Sequence, residues 1–215
     1  MLLTKRQFDM RIKRGSLPLA LIGMSNIGKS FRAGQLEKEK GFQRVSIDDE
    51  IGERLGVTGV DGLAHWMGFP FEKRYAAAEA GYLRHEAEAM GGLKISKGKN
   101  LVVDTTGSVV YLPQEGLADF RERFLIVHLE VTESMIPEMT DRFFMHPKPV
   151  IWGGMFDRRP NESIEVALRR CYPGWLRFRL EKYKGLADLS IPGTTSLGPA
   201  VSVDGFIEAI RAQLK

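Results

Sequence analysis

The chain has 215 residues, of which 43% are hydrophobic and 27% charged, and it carries a net charge of +4. These values exclude disordered and fibrous classes and fit one globular domain of ordinary size, taken as 1–215 with an N-terminal extension at 1–15. The mild positive excess suits a small anionic ligand and is far from the dense basic face of a nucleic-acid binder. One cysteine, Cys171, excludes an internal disulfide and fits a reducing compartment. The basic first fourteen residues lack an apolar run long enough for a signal core or a membrane span. The expectation is therefore a cytoplasmic protein, monomer or homodimer, with neither nucleic acid nor membrane as partner.

In chain order, Leu17–Ile22 is the first strand, followed by the sequence Gly23-Met-Ser-Asn-Ile-Gly28-Lys29-Ser30 and a helix from Ser30 to Lys40 closed by Gly41. This G-x-x-x-x-G-K-S pattern between a strand and a helix is a phosphate-binding P-loop. Gly23 and Gly28 let the backbone turn its amides inward, the helix start adds positive potential, Lys29 supplies a point charge, and Ser30 supplies a hydroxyl for a metal ion. Gln43–Ile47 is the second strand and ends at Asp48 and Asp49; Leu101–Val103 is the third and ends at Asp104. Acidic residues at strand ends beside a P-loop fit a magnesium or base position, the lesser alternative for Asp104 being a cap of the turn at Thr105–Gly107.

Between these strands, Phe71, Tyr75, Ala78, Tyr82, Ala89 and Met90 trace an apolar helical stripe read as core. Leu125–Val131 is the fourth strand. Thr132 can cap a helix toward Phe144 that Pro137 would kink or cut short. His146–Pro160 is rich in proline and bulky side chains and reads as a loop of functional length, with Trp152–Phe156 either a hinged cover or a contact for another chain. Asn161 or Ser163 caps the next helix, Leu189–Ile191 is the fifth strand, and Asp204–Leu214 is a closing helix. Strands alternating with helices imply a parallel α/β sheet with helices on both faces. The cluster Arg158, Arg159, Arg169, Arg170, Arg177, Arg179, Lys182 and Lys184 is either a solvated helix face or a phosphate clamp. His65, His85, His128 and His146 show no metal-ligand spacing, and His128, inside a strand, reads as structural.

The P-loop together with Ser46-Ile-Asp48-Asp-Glu-Ile51-Gly-Glu-Arg54-Leu-Gly56, Thr106-Gly107-Ser108-Val109-Val110, Lys148-Pro149-Val150-Ile151 and Arg179-Leu-Glu-Lys-Tyr183-Lys-Gly-Leu-Ala187-Asp188 resembles the shikimate kinase family, with the pieces in the family's order. The resemblance implies a three-layer P-loop fold with a five-stranded parallel sheet in order 2-3-1-4-5 and a lid at 146–162. It also implies ATP and Mg²⁺ as cofactors, and transfer of the γ-phosphate to a hydroxyl of a small, hydroxylated acid. On that basis Gly23, Ser25, Asn26, Ile27, Gly28, Lys29, Ser30, Phe31 and Arg142 are expected to hold ATP, and Ser30 and Asp104 the metal. Asp48, Arg74, Gly107, Lys148, Arg159 and Arg179 are expected to bind substrate, with Lys29, Asp48 and Arg179 catalytic. The chain departs from the family pattern where Ser46 replaces an aspartate, where Ala76 replaces a carboxylate-binding arginine, and where a glycine triplet is reduced to Gly107. These departures leave open a kinase for another sugar acid, polyol or nucleotide, with a pocket from Trp66, Arg74, Tyr75, Arg84 and the lid, or a non-catalytic ATP-binding module.

Overall fold

The computed structural model describes residues 3–193 and 201–215. Strands β1 (Pro18–Ile22), β2 (Gln43–Ser46), β3 (Leu101–Asp104), β4 (Leu125–Glu130) and β5 (Leu189–Pro192) form one parallel sheet in the order β2-β3-β1-β4-β5. All five residues of central β1 are buried. Because successive strand side chains point to opposite faces, that pattern requires cover on both sides and explains the unbroken apolar run Pro-Leu-Ala-Leu-Ile. Edge strand β2 is only half-buried and correspondingly polar. The register pairs Leu21 with Asp104, Ser46 with Asp104 and Ile22 with His128, so the loop after β1 opens beside the carboxyl ends of its neighbours.

The helices begin and end where local chemistry dictates. In α1 (Lys5–Arg14), Thr4 and Gln7 form a capping box and Gly15 closes the helix at φ +61°. This helix gives structure to a segment expected only as an extension. After α2 (Lys29–Lys40) comes α3 (Ile47–Leu55), whose cap is Ser46, accepting from the Asp49 amide. Asp48, Asp49 and Glu50 lie in its first turn, where the helix end favours negative charge, so the expected second strand stops one residue earlier. Helices α4 (Gly59–Met67), α5 (Tyr75–Gly91) and α6 (Gln114–Arg123) follow before β4.

In α7 (Ile136–Met145), Pro137 lies in the first turn, where its missing N–H costs nothing, and it starts the helix instead of kinking it. Helix α8 (Ile164–Leu186) takes its cap from Ser163 and runs 23 residues through Pro173. Helix α9 (Val203–Gln213) packs on α2 and β5. Arg32 of α2 is fully buried there, with its guanidinium 5.2 Å from the Phe206 ring and Nη1 donating to the Val201 carbonyl at 2.7 Å. No described helix is long and apolar enough to cross a membrane.

Candidate functional site

The turn from β1 to α2 is built by unusual backbone angles: φ is +144° at Gly23, +91° at Gly28 and +63° at Asn26. A Cβ at Gly23 would lie 2.8 Å from the Leu129 carbonyl oxygen, so only glycine allows the loop to leave β1 against β4. Lys29 is the first helical residue and is buried. Its Nζ donates to the carbonyls of Gly23 at 3.0 Å and Met24 at 2.9 Å, which ties the ammonium across the loop's own entry. Burial lowers its pKa, while the carboxylates of Asp104 and Asp48 oppose the shift. Ser30 is exposed, and its hydroxyl hydrogen-bonds to no other described residue.

A cavity of about 800 Å³ opens on this loop. Ser25, Asn26 and Ile27 line its floor, Asp48 and Tyr82 one wall, and Gly107, Ser108 and Arg179 another, with Arg142 and Lys148 at the α7 and lid side. Asp48 is held above the ordinary carboxylate range by burial, against the 2.9 Å hydrogen bond from the Tyr82 phenol and the charge of Lys29. Gly107 is a close approach: a Cβ there would lie 3.1 Å from Arg179 Nη1 and 3.3 Å from Ser25 Oγ. Its reduced size lets the guanidinium and the loop share one edge of the cavity.

Arg179 is 2% exposed and sandwiched over Trp175 (4.2 Å) and Tyr111 (5.2 Å), with Nη2 donating to the Ile151 carbonyl at 2.8 Å. Its neighbours in the basic cluster instead face acids, with Arg169 on Glu165, Arg170 on Glu162 and Arg177 on Glu133. For that cluster the solvated face is therefore the reading that fits, with Arg179 as the exception.

The lid lies against α5. Glu79 Oε1 accepts from the amides of Trp152 (2.7 Å) and Gly153 (2.9 Å), and the Tyr75 phenol lies 2.6 Å from the Val150 carbonyl. Trp152 is 1% exposed among Phe143, Phe156, Tyr172 and Trp175, so it fills this chain's own interior.

Several expected residues lie elsewhere. Arg74 is turned to the carbonyls of His65 and Trp66 and to Glu72, Arg159 is exposed, and Phe31 is 45% exposed; none of the three lines the cavity. Trp66, Tyr75 and Arg84 are also outside it, their places being taken by Leu63, Ala64, Met67 and Tyr82. Ala76 faces solvent, so no α5 cation reaches the cavity from that position. Asp104, at the end of β3, is 5% exposed and accepts on Oδ2 from Arg44 Nη2 at 2.8 Å.

The Ser30 hydroxyl and the Asp104 carboxylate each offer a hard oxygen of the kind Mg²⁺ takes when phosphates and water complete its shell. Among the described residues no group of three or more His, Cys, Asp or Glu is placed to hold a metal alone. Sequence reading missed Glu79, Glu86 and the hydroxyls of Thr106 and Ser108. The available signal was an acid four residues after an aromatic, Tyr82 then Glu86, on one helix face.

No protein-family model matches the chain, and no curated protein matches it by sequence. Among solved structures, the shikimate kinase from Acinetobacter baumannii in complex with shikimate is 19% identical with a TM-score of 0.59, over 94% of each chain. The shikimate kinase from Bacteroides thetaiotaomicron is 15% identical at 0.59, over 91% of this chain and 97% of that one. The enzyme from Aquifex aeolicus is 16% identical at 0.55, over 90% and 96% respectively. Taken with the strand order and the loop after β1, these likenesses show that the chain has a shikimate kinase-like P-loop kinase fold.

Proposed function

We propose that the protein is an ATP-dependent small-molecule kinase acting on a hydroxyl of a small, anionic acceptor. The observation that carries this reading is the convergence of the P-loop, Asp48 and Arg179 on one cavity. The amides of Gly23–Ser30 and the Lys29 ammonium bind the β- and γ-phosphates, which replace the two carbonyls that Lys29 now contacts. Arg142 belongs to the nucleotide end in this reading, Lys148 and Gly107 to the acceptor end. Mg²⁺, held by Ser30 and Asp104, supplies charge neutralisation on the phosphate oxygens when bound.

Asp48 accepts a hydrogen bond from the acceptor hydroxyl and takes its proton as the hydroxyl oxygen bonds to the γ-phosphorus. The bond from that phosphorus to the β–γ bridging oxygen breaks, and ADP leaves. Arg179 faces the equatorial oxygens as their charge develops. The docked lid excludes water, which would otherwise compete as acceptor. Coupled ADP release over a panel of hydroxy acids, shikimate included, tests the reading, with Lys29→Ala as control. Acceptor-dependent release lost in Lys29→Ala supports it. Nucleotide binding without acceptor-dependent release from any member would leave a non-catalytic module.

A further inference from the structure

The acceptor end of the cavity is walled by a lobe in which α3, α4 and α5 pack on one another. Asp48 of α3 belongs to this lobe, with the Tyr82 phenol of α5 bonded to it at 2.9 Å. One face of α4 supplies most of the rest: Leu63 and Met67, four residues apart and both buried, line the cavity together with Ala64. The cations of the lobe are turned elsewhere. Arg74 donates to the carbonyls of His65 and Trp66 in the last turn of α4, and Arg84 is exposed, 3.9 Å from Glu88. Trp66 points to α5, where a Cβ on Gly81 would lie 3.2 Å from its ring. Among the described residues of α4 and α5 that line the cavity, Asp61 is the one charged group.

The lid side closes the same space. Trp175 Nε1 and Arg179 Nη2 both donate to the Ile151 carbonyl, at 2.9 and 2.8 Å, so the polar edge of the indole is taken by the lid backbone. The other terminal nitrogen of Arg179 lies near Gly107 and Ser25, on the phosphate side. With Arg142 at the nucleotide end, exposed Lys148 is the lid cation left to meet the acceptor itself.

We propose that the acceptor is an amphipathic hydroxy acid, with one hydroxyl at Asp48, one carboxylate at Lys148 and an unsubstituted hydrocarbon body against Leu63, Ala64 and Met67. The proposal rests on the kinase reading of this cavity and names its substrate class. A further hydroxyl turned to the α4 face gives up water and finds no partner there, which lowers affinity about ten- to a hundredfold per group. A hydrocarbon in that place takes apolar surface out of water on both sides of the contact. Asp61 repels a carboxylate from the α4 side, which turns the acid toward Lys148.

The test compares two acids of one skeleton: a monohydroxy cyclohexenecarboxylate, and shikimate, which adds two hydroxyls to the same ring and carboxylate. Coupled ADP release by the full chain should give the monohydroxy acid a kcat/KM about tenfold higher or more, with the difference carried by KM. Met67→Gln, which sets an amide of similar length on the α4 face, should narrow that ratio severalfold. Equal or higher kcat/KM for shikimate in the wild type, or a ratio that Met67→Gln leaves unchanged, overturns the proposal.

Calorimetry on the wild type needs no variant. The monohydroxy acid should bind more tightly than shikimate and with the more negative heat-capacity change, the mark of apolar burial. If no hydroxy acid is phosphorylated, the kinase reading fails, while calorimetry still decides what the cavity takes. Tighter binding of the monohydroxy acid upholds the apolar wall as a binding surface; equal binding of the two, or binding of neither, overturns it.

Discussion

Two carbonyls of its own loop hold the Lys29 ammonium, and those bonds offset only part of the cost of taking the charge out of water. Replacing the charge with an apolar chain of similar length, Lys29→Met, should leave the nucleotide-free melting temperature unchanged or raised. The rise in melting temperature on adding Mg-ATP should disappear, because that gain depends on affinity. Losing one charge-assisted contact costs about 1.5–3 kcal/mol, or roughly ten- to a hundredfold in nucleotide affinity by calorimetry.

Asp48→Asn separates the second role. It keeps the Tyr82 bond but cannot accept a proton, so turnover should fall about 10²–10⁴-fold with nucleotide affinity unchanged. An equal loss of both would remove Asp48 from the chemistry. Asp48 and Arg179 were legible in the sequence because each sits in a motif whose order along the chain sets its place. Glu86 was not, since a lone acid in an apolar stripe looks like a solvent-side residue. Only the loop after β3, folded over α5, turns that side inward.

Elements with strong periodicity were also legible. All five strands were expected within a residue or two of their observed ends, because apolar runs bounded by turn residues mark buried parallel strands. The lid was legible only as a loop. Its docking depends on Tyr75 and Glu79, some 75 residues away, so nothing local in Val150–Gly153 announces it. That docking supplies a test at the level of the element. Gly153 sits at φ +57°, and a Cβ there would run into the Tyr111 ring, which itself stacks on Phe178 and lies under Arg179. Gly153→Ala should therefore destabilise the fold by about 2 kcal/mol or more in denaturant melts, combining backbone strain and overpacking. Glu79→Ala should raise hydrogen exchange at the Trp152 and Gly153 amides and leave the β1 amides protected. Unchanged exchange at Trp152 would mean that Glu79 does not hold the lid.

Across the whole molecule, two buried titrating groups act on stability with opposite sign. His128, fully buried under the P-loop and stacked on Tyr183, has its pKa pushed down to about 4, by burial first and then by the charges of Lys184 and Lys29. The unfolded chain therefore binds the histidine proton more readily than the folded one. Stability is fully present above about 6.5 and is lost as pH falls toward 4, a change of about 3 kcal/mol. Glu86 does the reverse. With its folded pKa raised from 4.5 to about 7, the folded state holds the extra proton, so stability falls as pH rises through that window, again by about 3 kcal/mol. Between pH 4.5 and 6.5 the two slopes oppose, and their sum is shallow.

Removing either group exposes the other. Glu86→Gln should gain on the wild type steadily from pH 4.5 to above 7, and His128→Phe should gain on it as pH falls from 6.5 to 4. For a chain of this length 3 kcal/mol corresponds to about 6–12 °C in melting temperature. Calorimetric melts of the three proteins across that range measure both differences directly. A Glu86→Gln difference that does not change with pH would show that Glu86 is ionised in the folded protein throughout.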